Sequence, residues 1–122
     1  MNRQRLEALA EAIAHVSGYN NPAHPLYTAR NPGGLRPTSE KHVRDEHGNR
    51  VFRSMLDGMQ ALLFDLDVKV NGRLSPDSTL LDLAIAYHQQ AAAKAWARFL
   101  KAALRDDSIN PNTALKSFLE DK

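Results

Sequence analysis

Between residues 3 and 17 the apolar positions Leu6, Leu9, Ile13 and Val16 recur at spacings of three and four, with Glu7, Glu11 and His15 between them. That period places the four side chains on one face of a helix. Ala8, Ala10, Ala12 and Ala14 strengthen the reading, because alanine loses least on entering a helix. Gly18 supplies a stop, and Asn20, Asn21, Pro22 and Pro25 keep the helix from resuming. A second helical stripe runs through Met55, Met59, Leu62, Leu63, Leu66 and Val70, with Ser54 as N-cap, Asp57 in the first turn and Asn71-Gly72 as its end. Ser75-Pro76-Asp77-Ser78 leads into a third helix over about 79–87. A fourth, roughly 91–105, carries Trp96, Phe99, Leu100 and Leu104 on one side. A fifth, over 110–119, is predicted to begin at Asn110-Pro111, where the missing proline amide costs nothing.

Residues 19–48 follow neither the helical nor the strand period, and contain four prolines and three glycines. An irregular stretch of that length inside a compact domain is uncommon and is usually functional or disordered. Tyr19, Leu26, Tyr27 and Leu35 offer apolar anchors that predict order over most of it, whereas 38–48 is nearly all polar and is the part open to mobility. Residues 49–53 alternate around Val51 and predict a short strand or extended arm. There is no internal repeat and no composition shift that marks a domain boundary. The fold class expected is therefore all-α: one domain over residues 1–122, with five helices, one long loop and at most a very short extended arm or hairpin.

Composition narrows the chemistry. With 43% hydrophobic and 25% charged residues, the chain is expected to fold as an ordinary soluble globule. No apolar run approaches the roughly 18 residues of a membrane span. Glu7 and Glu11 interrupt the apolar start, which does not read as a signal peptide. The expectation is a chain that is cytoplasmic as synthesised or released by a phage-type route. Absence of cysteine excludes disulfides, thiolate catalysis and cysteine-ligated zinc. The histidines at 15, 24, 42, 47 and 88 show no helical i, i+4 pairing, so no metal site is expected. A formal charge of +2 is too mild to point to nucleic acid. No phosphate-binding glycine loop, nucleophile elbow or dinucleotide fingerprint is present, and no cofactor is expected.

Three segments then stand out together. The first helix ends His15-Val16-Ser17-Gly18-Tyr19; the loop contains Arg30-Asn31-Pro32-Gly33-Gly34-Leu35-Arg36; and Val51-Phe52-Arg53-Ser54 leads into Met55-Leu56-Asp57-Gly58-Met59-Gln60-Ala61-Leu62-Leu63. In order and spacing, over about residues 13–66, this resembles a lysozyme-like family found in phage and bacterial peptidoglycan-degrading proteins. That family has a Glu-Gly-aromatic step at the end of its first helix, an Asn-Asn-Pro-Gly-Asn-Leu-Arg-like loop, and an extended arm with Phe-x-Ser before a Gly-containing helix. The resemblance implies a lysozyme-like domain whose cleft holds a peptidoglycan-type glycan. It implies substrate contacts by Tyr19, Tyr27, Arg30, Asn31, Gly33, Gly34 and Arg36. Tyr19 and Tyr27 each have an apolar face and a polar tip, suited to partial core or to a sugar platform. Arg30 and Arg36 are suited to hydroxyls or a peptide-stem carboxylate through the guanidinium fork.

One departure decides what the resemblance implies about activity. Ser17 stands where the family has its acidic residue. Glycoside cleavage needs a carboxylic acid to protonate the leaving oxygen, and a serine hydroxyl is far too weak an acid. The expectation is a catalytically impaired, glycan-binding protein. Two alternatives stand beside it. Glu40, Asp45 or Glu46 of the polar loop would supply the carboxylate of an active muramidase or lytic transglycosylase. Otherwise the chain is a helical interaction module of phage or mobile-element origin. In that case Lys94, Arg98, Lys101 and Arg105, a basic stripe at steps of four, three and four, would contact a protein or a polyanion rather than form a merely solvated face.

Overall fold

The computed structural model describes residues 2–17, 21–70, 78–87, 93–105 and 109–120. They form α1 (Arg3–Val16), α2 (Pro25–Thr28), α3 (Met55–Val68), α4 (Leu80–Tyr87), α5 (Ala93–Leu104) and α6 (Leu115–Glu120), so the fold is all-helical. None of these helices is long and apolar enough to cross a membrane.

α1 is the central element. The Asn2 side chain accepts from the Arg5 amide at 3.2 Å and caps its start. Leu6, Leu9, Ala10 and Ile13 are fully buried, and Ala12 and Ala14 nearly so. The alanines noted as helix formers thus widen the apolar face, and their small side chains let other helices approach. α3, α5 and α6 all pack on α1, while α4 packs on α5. Leu62 and Leu66 of α3, Leu80 and Leu83 of α4, and Trp96, Ala97 and Leu100 of α5 close the core. Arg5 ties α1 to α6 by donating to the Phe118 carbonyl at 2.8 Å, with its guanidinium 4.7 Å from the centre of the Phe118 ring. The expected stop at Gly18 lies outside the described residues.

Three features differ from the sequence expectation. The last helix begins at Leu115 rather than Asn110. Asn110 Oδ1 accepts from the Asn112 amide at 2.9 Å and the Asn110 amide donates to Thr113 Oγ1 at 2.9 Å, so local side-chain bonds divert the backbone into a turn. That turn pairs with the start of α4: Leu115 N–H donates to Ser78 O at 2.8 Å and Leu81 N–H to Pro111 O at 3.1 Å. Phe99, expected on the buried side of its helix, is 59% exposed, and Met55, assigned to the α3 core stripe, is also exposed. Met55 is the first residue of α3, where the stripe runs out past the end of the helix, and Phe99 turns away from the buried Trp96, Ala97 and Leu100 toward the exposed Ala95 and Ala102.

The long loop is folded rather than structureless. It contains α2, a single helical turn with Pro25 at its first position and His24 Nδ1 accepting from the Leu26 amide at 3.1 Å. The expected arm is present as a short antiparallel contact, with Val51 N–H donating to Val43 O at 2.8 Å and Phe52 N–H to Ala29 O at 2.9 Å. Even the polar 38–48 stretch is organised: Asp45 Oδ1 accepts from the amides of His47 and Asn49, each at 2.9 Å.

Gly58 is the point at which this loop seats on α3. A Cβ there would lie 2.0 Å from the Arg30 carbonyl oxygen and 2.9 Å from Pro32 Cδ. In an exposed helix Gly→Ala stabilises by about 1 kcal/mol. Here the sign reverses, and Gly58→Ala is expected to destabilise by about 2 kcal/mol through overpacking, lowering the thermal midpoint by about 5–10 °C in a melting curve.

Candidate functional site

The corner at 30–36 is held by one side chain. Asn31 is fully buried. Its Nδ2 donates to the carbonyls of Leu35 at 2.8 Å and Arg50 at 2.9 Å, and its Oδ1 accepts from the Leu35 amide at 2.9 Å. The carboxamide therefore replaces a strand partner for two segments of chain, and each buried group it touches is satisfied. Arg30 adopts φ 53°, an uncommon left-handed conformation for a residue with a Cβ. Gly34, with φ 64°, needs the same region, whereas Gly33 is small because Leu62 lies against it: a Cβ would come within 2.5 Å of Leu62 Cδ1.

Seating the corner on α3 leaves a groove of about 790 Å³. One wall is Gly33, Gly34, Leu35, Arg36 and Thr38, joined by Arg50; the other is Ala61, Phe64, Asp65, Val68 and Lys69 of α3 with Ala86 and Tyr87 of α4. Phe64 is 72% exposed, the most exposed of the large apolar side chains described. Beside it sits a half-buried polar cluster. Asp65 Oδ2 accepts from Lys69 Nζ at 2.5 Å and from the Tyr87 hydroxyl at 2.7 Å, and Lys69 Nζ lies 4.8 Å from the centre of the Tyr87 ring. Burial, reinforced by the hydrogen bond to Asp65 and the carboxylate's charge, pushes the Tyr87 phenol well above its ordinary value. The opposite wall is cationic. Arg36 Nη1 donates to the His47 carbonyl at 3.0 Å, and the Arg50 guanidinium lies 4.6 Å from the centre of the Phe52 ring. These contacts hold both forks in place.

The sequence-derived residues divide into three groups. Gly33, Gly34 and Arg36 line the groove. Asn31 lies beneath it, as the brace and not as a contact surface. Tyr27, half-buried, and Arg30, exposed, are not among the groove's lining residues, and Tyr19 lies outside the described residues. Ser17 caps α1, its amide donating to Ile13 O at 2.9 Å, and does not line the groove. The end of α1 borders a second cleft of about 620 Å³ formed by His15 and Val16 with Phe99, Ala102, Ala103 and Arg105.

None of the loop carboxylates reaches the groove wall. Glu40 and Glu46 are exposed. Burial acts to raise the Asp45 carboxyl, but hydrogen bonds from the Asn49 and His47 amides outweigh it and hold the group below its ordinary value. Asp45 is thus a turn-former that favours its ionised form, the opposite of a proton donor. The groove's own carboxylate, Asp65, was not anticipated, nor were Phe64, Lys69 and Tyr87. The i, i+4 spacing of Asp65 and Lys69, and an aromatic outside the buried stripe of α3, were the available signals. Among the described residues no three His, Asp or Glu side chains converge as metal ligands would.

Comparison of the chain with family models, with curated proteins and with solved structures finds no match.

Because Tyr87 is held protonated in the native state, stability is complete below the ordinary phenol value near 10. It is lost above that pH, as the unfolded chain releases a proton that the native chain retains, at about 1.4 kcal/mol per pH unit. Denaturant melts at pH 9 and pH 11 are expected to show a loss about 1 kcal/mol larger in the wild type than in Tyr87→Phe.

Proposed function

We propose that this protein binds a peptidoglycan-type glycan polymer in the groove between the 30–38 corner and α3, without cleaving it. The observation that carries the reading is the make-up of that groove. An exposed aromatic face, Phe64, shares it with fixed donors, Arg36 and Arg50, a carboxylate acceptor, Asp65, and the glycine edge of the corner. Sugars present apolar C–H faces ringed by hydroxyls, and an aromatic platform with a few convergent polar groups is the complementary surface. The volume, about 790 Å³, falls within the range of ligand clefts and suits a short run of sugar rings. The lysozyme-like pattern of Asn31-Pro32-Gly33-Gly34-Leu35-Arg36 with Phe52-Arg53-Ser54 and Gly58 supports the same ligand class from the residues.

Two observations favour binding over cleavage. Ser17, at the position where the family resemblance expects an acid, has no carboxyl and does not line this groove, so the groove receives no acid from the end of α1. Asp65 Oδ2 is already engaged by two donors, Lys69 Nζ and the Tyr87 hydroxyl. Most glycosidases, retaining or inverting, use a pair of carboxyl groups flanking the bond, one of which delivers a proton. Glu40, Asp45 and Glu46 do not line this groove, which removes the support for an enzyme acting through the polar loop.

Incubated with insoluble peptidoglycan, the wild-type protein is expected to leave the supernatant with the pellet, and suspensions of the wall are expected to keep their turbidity. Phe64→Ala and Arg36→Ala are each expected to weaken binding about tenfold, or ~1.4 kcal/mol. A wild-type protein that stays wholly in the supernatant would sink the proposal. Clearing of the suspension would leave the binding and overturn its non-catalytic character.

A further inference from the structure

Two helices expose on their solvent sides what a helix of a small domain ordinarily buries. On α3, Leu56 and Gln60 lie on the side opposite the buried Leu62 and Leu66, short of the turn where Phe64 enters the groove, and Leu56 is 66% exposed. Asp57 and Asp67 share that side, and 55–68 contains no lysine or arginine. On α5, Phe99 is 59% exposed beside the exposed Ala95 and Ala102, and Lys94, Arg98 and Arg105 border them. No aspartate or glutamate occurs within 93–105. Lys101, the remaining cation of the stripe, turns inward and donates to the Ile109 carbonyl at 2.5 Å. The cleft of about 620 Å³ opens beside Phe99, between α5 and the end of α1.

We propose that these faces are the two halves of one interface: the acidic, leucine-bearing side of α3 in one copy docks on the basic, phenylalanine-bearing side of α5 in a second copy. Leu56 enters the cleft beside Phe99 and covers the apolar surface that each copy leaves to water. Asp57 and Asp67 approach Arg98, Lys94 and Arg105, and this opposite charge steers encounter and sets register. The chain itself identifies a second copy as the occupant, because it carries both the cationic apolar face and its anionic apolar complement. A single copy cannot join them, since α3 and α5 both pack on α1 and each presents outward the side away from the core. The two patches are different surfaces, so the contact is head-to-tail and grows into a ring or an open chain. A binder of a polymeric ligand gains avidity from such growth.

Sedimentation velocity over a rising protein concentration at low salt tests the interface. The weight-average mass is expected to climb above the 13.6 kDa of one copy and to fall back as salt is added. Arg98→Glu and Asp57→Lys, neither of which lines the groove, are each expected to raise the dissociation constant about tenfold or more. An equimolar mixture of the two variants is expected to recover association, because the reversed α5 of one then meets the reversed α3 of the other. Lys94→Glu replaces Arg98→Glu if circular dichroism shows that variant to be unfolded. A mass that stays at 13.6 kDa at every concentration overturns the proposal. So does association that both reversals leave unchanged, or a mixture that fails to recover it. Any of these leaves the glycan reading standing, since that reading is tested on Phe64 and Arg36.

Discussion

The contact on which the rest of the site depends is between the Asn31 carboxamide and the main chain on either side of it. Three hydrogen bonds from one buried side chain fasten Leu35 and Arg50 together, and thereby set the path of the corner and of the arm. No apolar residue of similar size does this, because the groups it satisfies are backbone donors and acceptors that would otherwise be buried without partners. With the corner so shaped, Arg30 presents its carbonyl to α3, and only a residue without Cβ is accommodated at 58. The loop and the helix therefore constrain each other. Gly33 against Leu62 repeats the arrangement one turn further along α3.

The groove follows from that seating. Bringing the corner down on Gly58 and Leu62 stands Arg36 and the Gly33-Gly34 edge across from the next turns of α3, where Phe64, Asp65 and Lys69 emerge. α4 then supplies Tyr87, whose hydroxyl reaches Asp65 and couples the two helices across the floor. The polar cluster is only half-buried, which suits recognition better than stability. Its groups keep a fixed geometry while remaining open to a ligand that brings its own donors and acceptors. The contrast with Asp45 is instructive. That carboxylate also accepts hydrogen bonds, three of them, but all from His47 and Asn49 of its own turn, and its role ends with the shape of the loop.

α1 organises the other side of the molecule. Because Leu6, Leu9 and Ile13 are flanked by Ala10, Ala12 and Ala14, the helix is buried on more than one side and receives α3, α5 and α6 around it. The helices that surround it have one committed face and one free face. On α3 the free face is apolar and acidic; on α5 it is apolar and basic. An ordinary solvated face would mix both signs of charge along each helix, and the segregation seen here is what singles the pair out.

Periodicity and end signals were enough to place the long helices. The α1 stripe, the Ser54 cap and the inward set of Leu62 and Leu66 are local properties, since each depends on residues within a turn or two of one another. The extended arm and the Pro32-Gly33-Gly34 corner were legible only as departures from the helical period, because what holds them is distant in the chain: Phe52 N–H donates to Ala29 O, and Leu62 lies against Gly33. The start of α6 was not legible, because Asn110 and Thr113 offered the backbone a competing turn that was then fixed by pairing with Ser78 and Leu81 far along the chain. Nor was the exposure of Phe99, because the packing of α5 turns Trp96, Ala97 and Leu100 inward and leaves Phe99 among the exposed Ala95, Arg98 and Ala102. Above all, the composition of the groove was decided by tertiary structure. Phe64, Asp65 and Tyr87 become one surface only when α3 and α4 meet under a loop that lies about thirty residues before Asp65 in the chain. Spacing along a chain determines which residues share an element, and packing between elements determines which of them share a site.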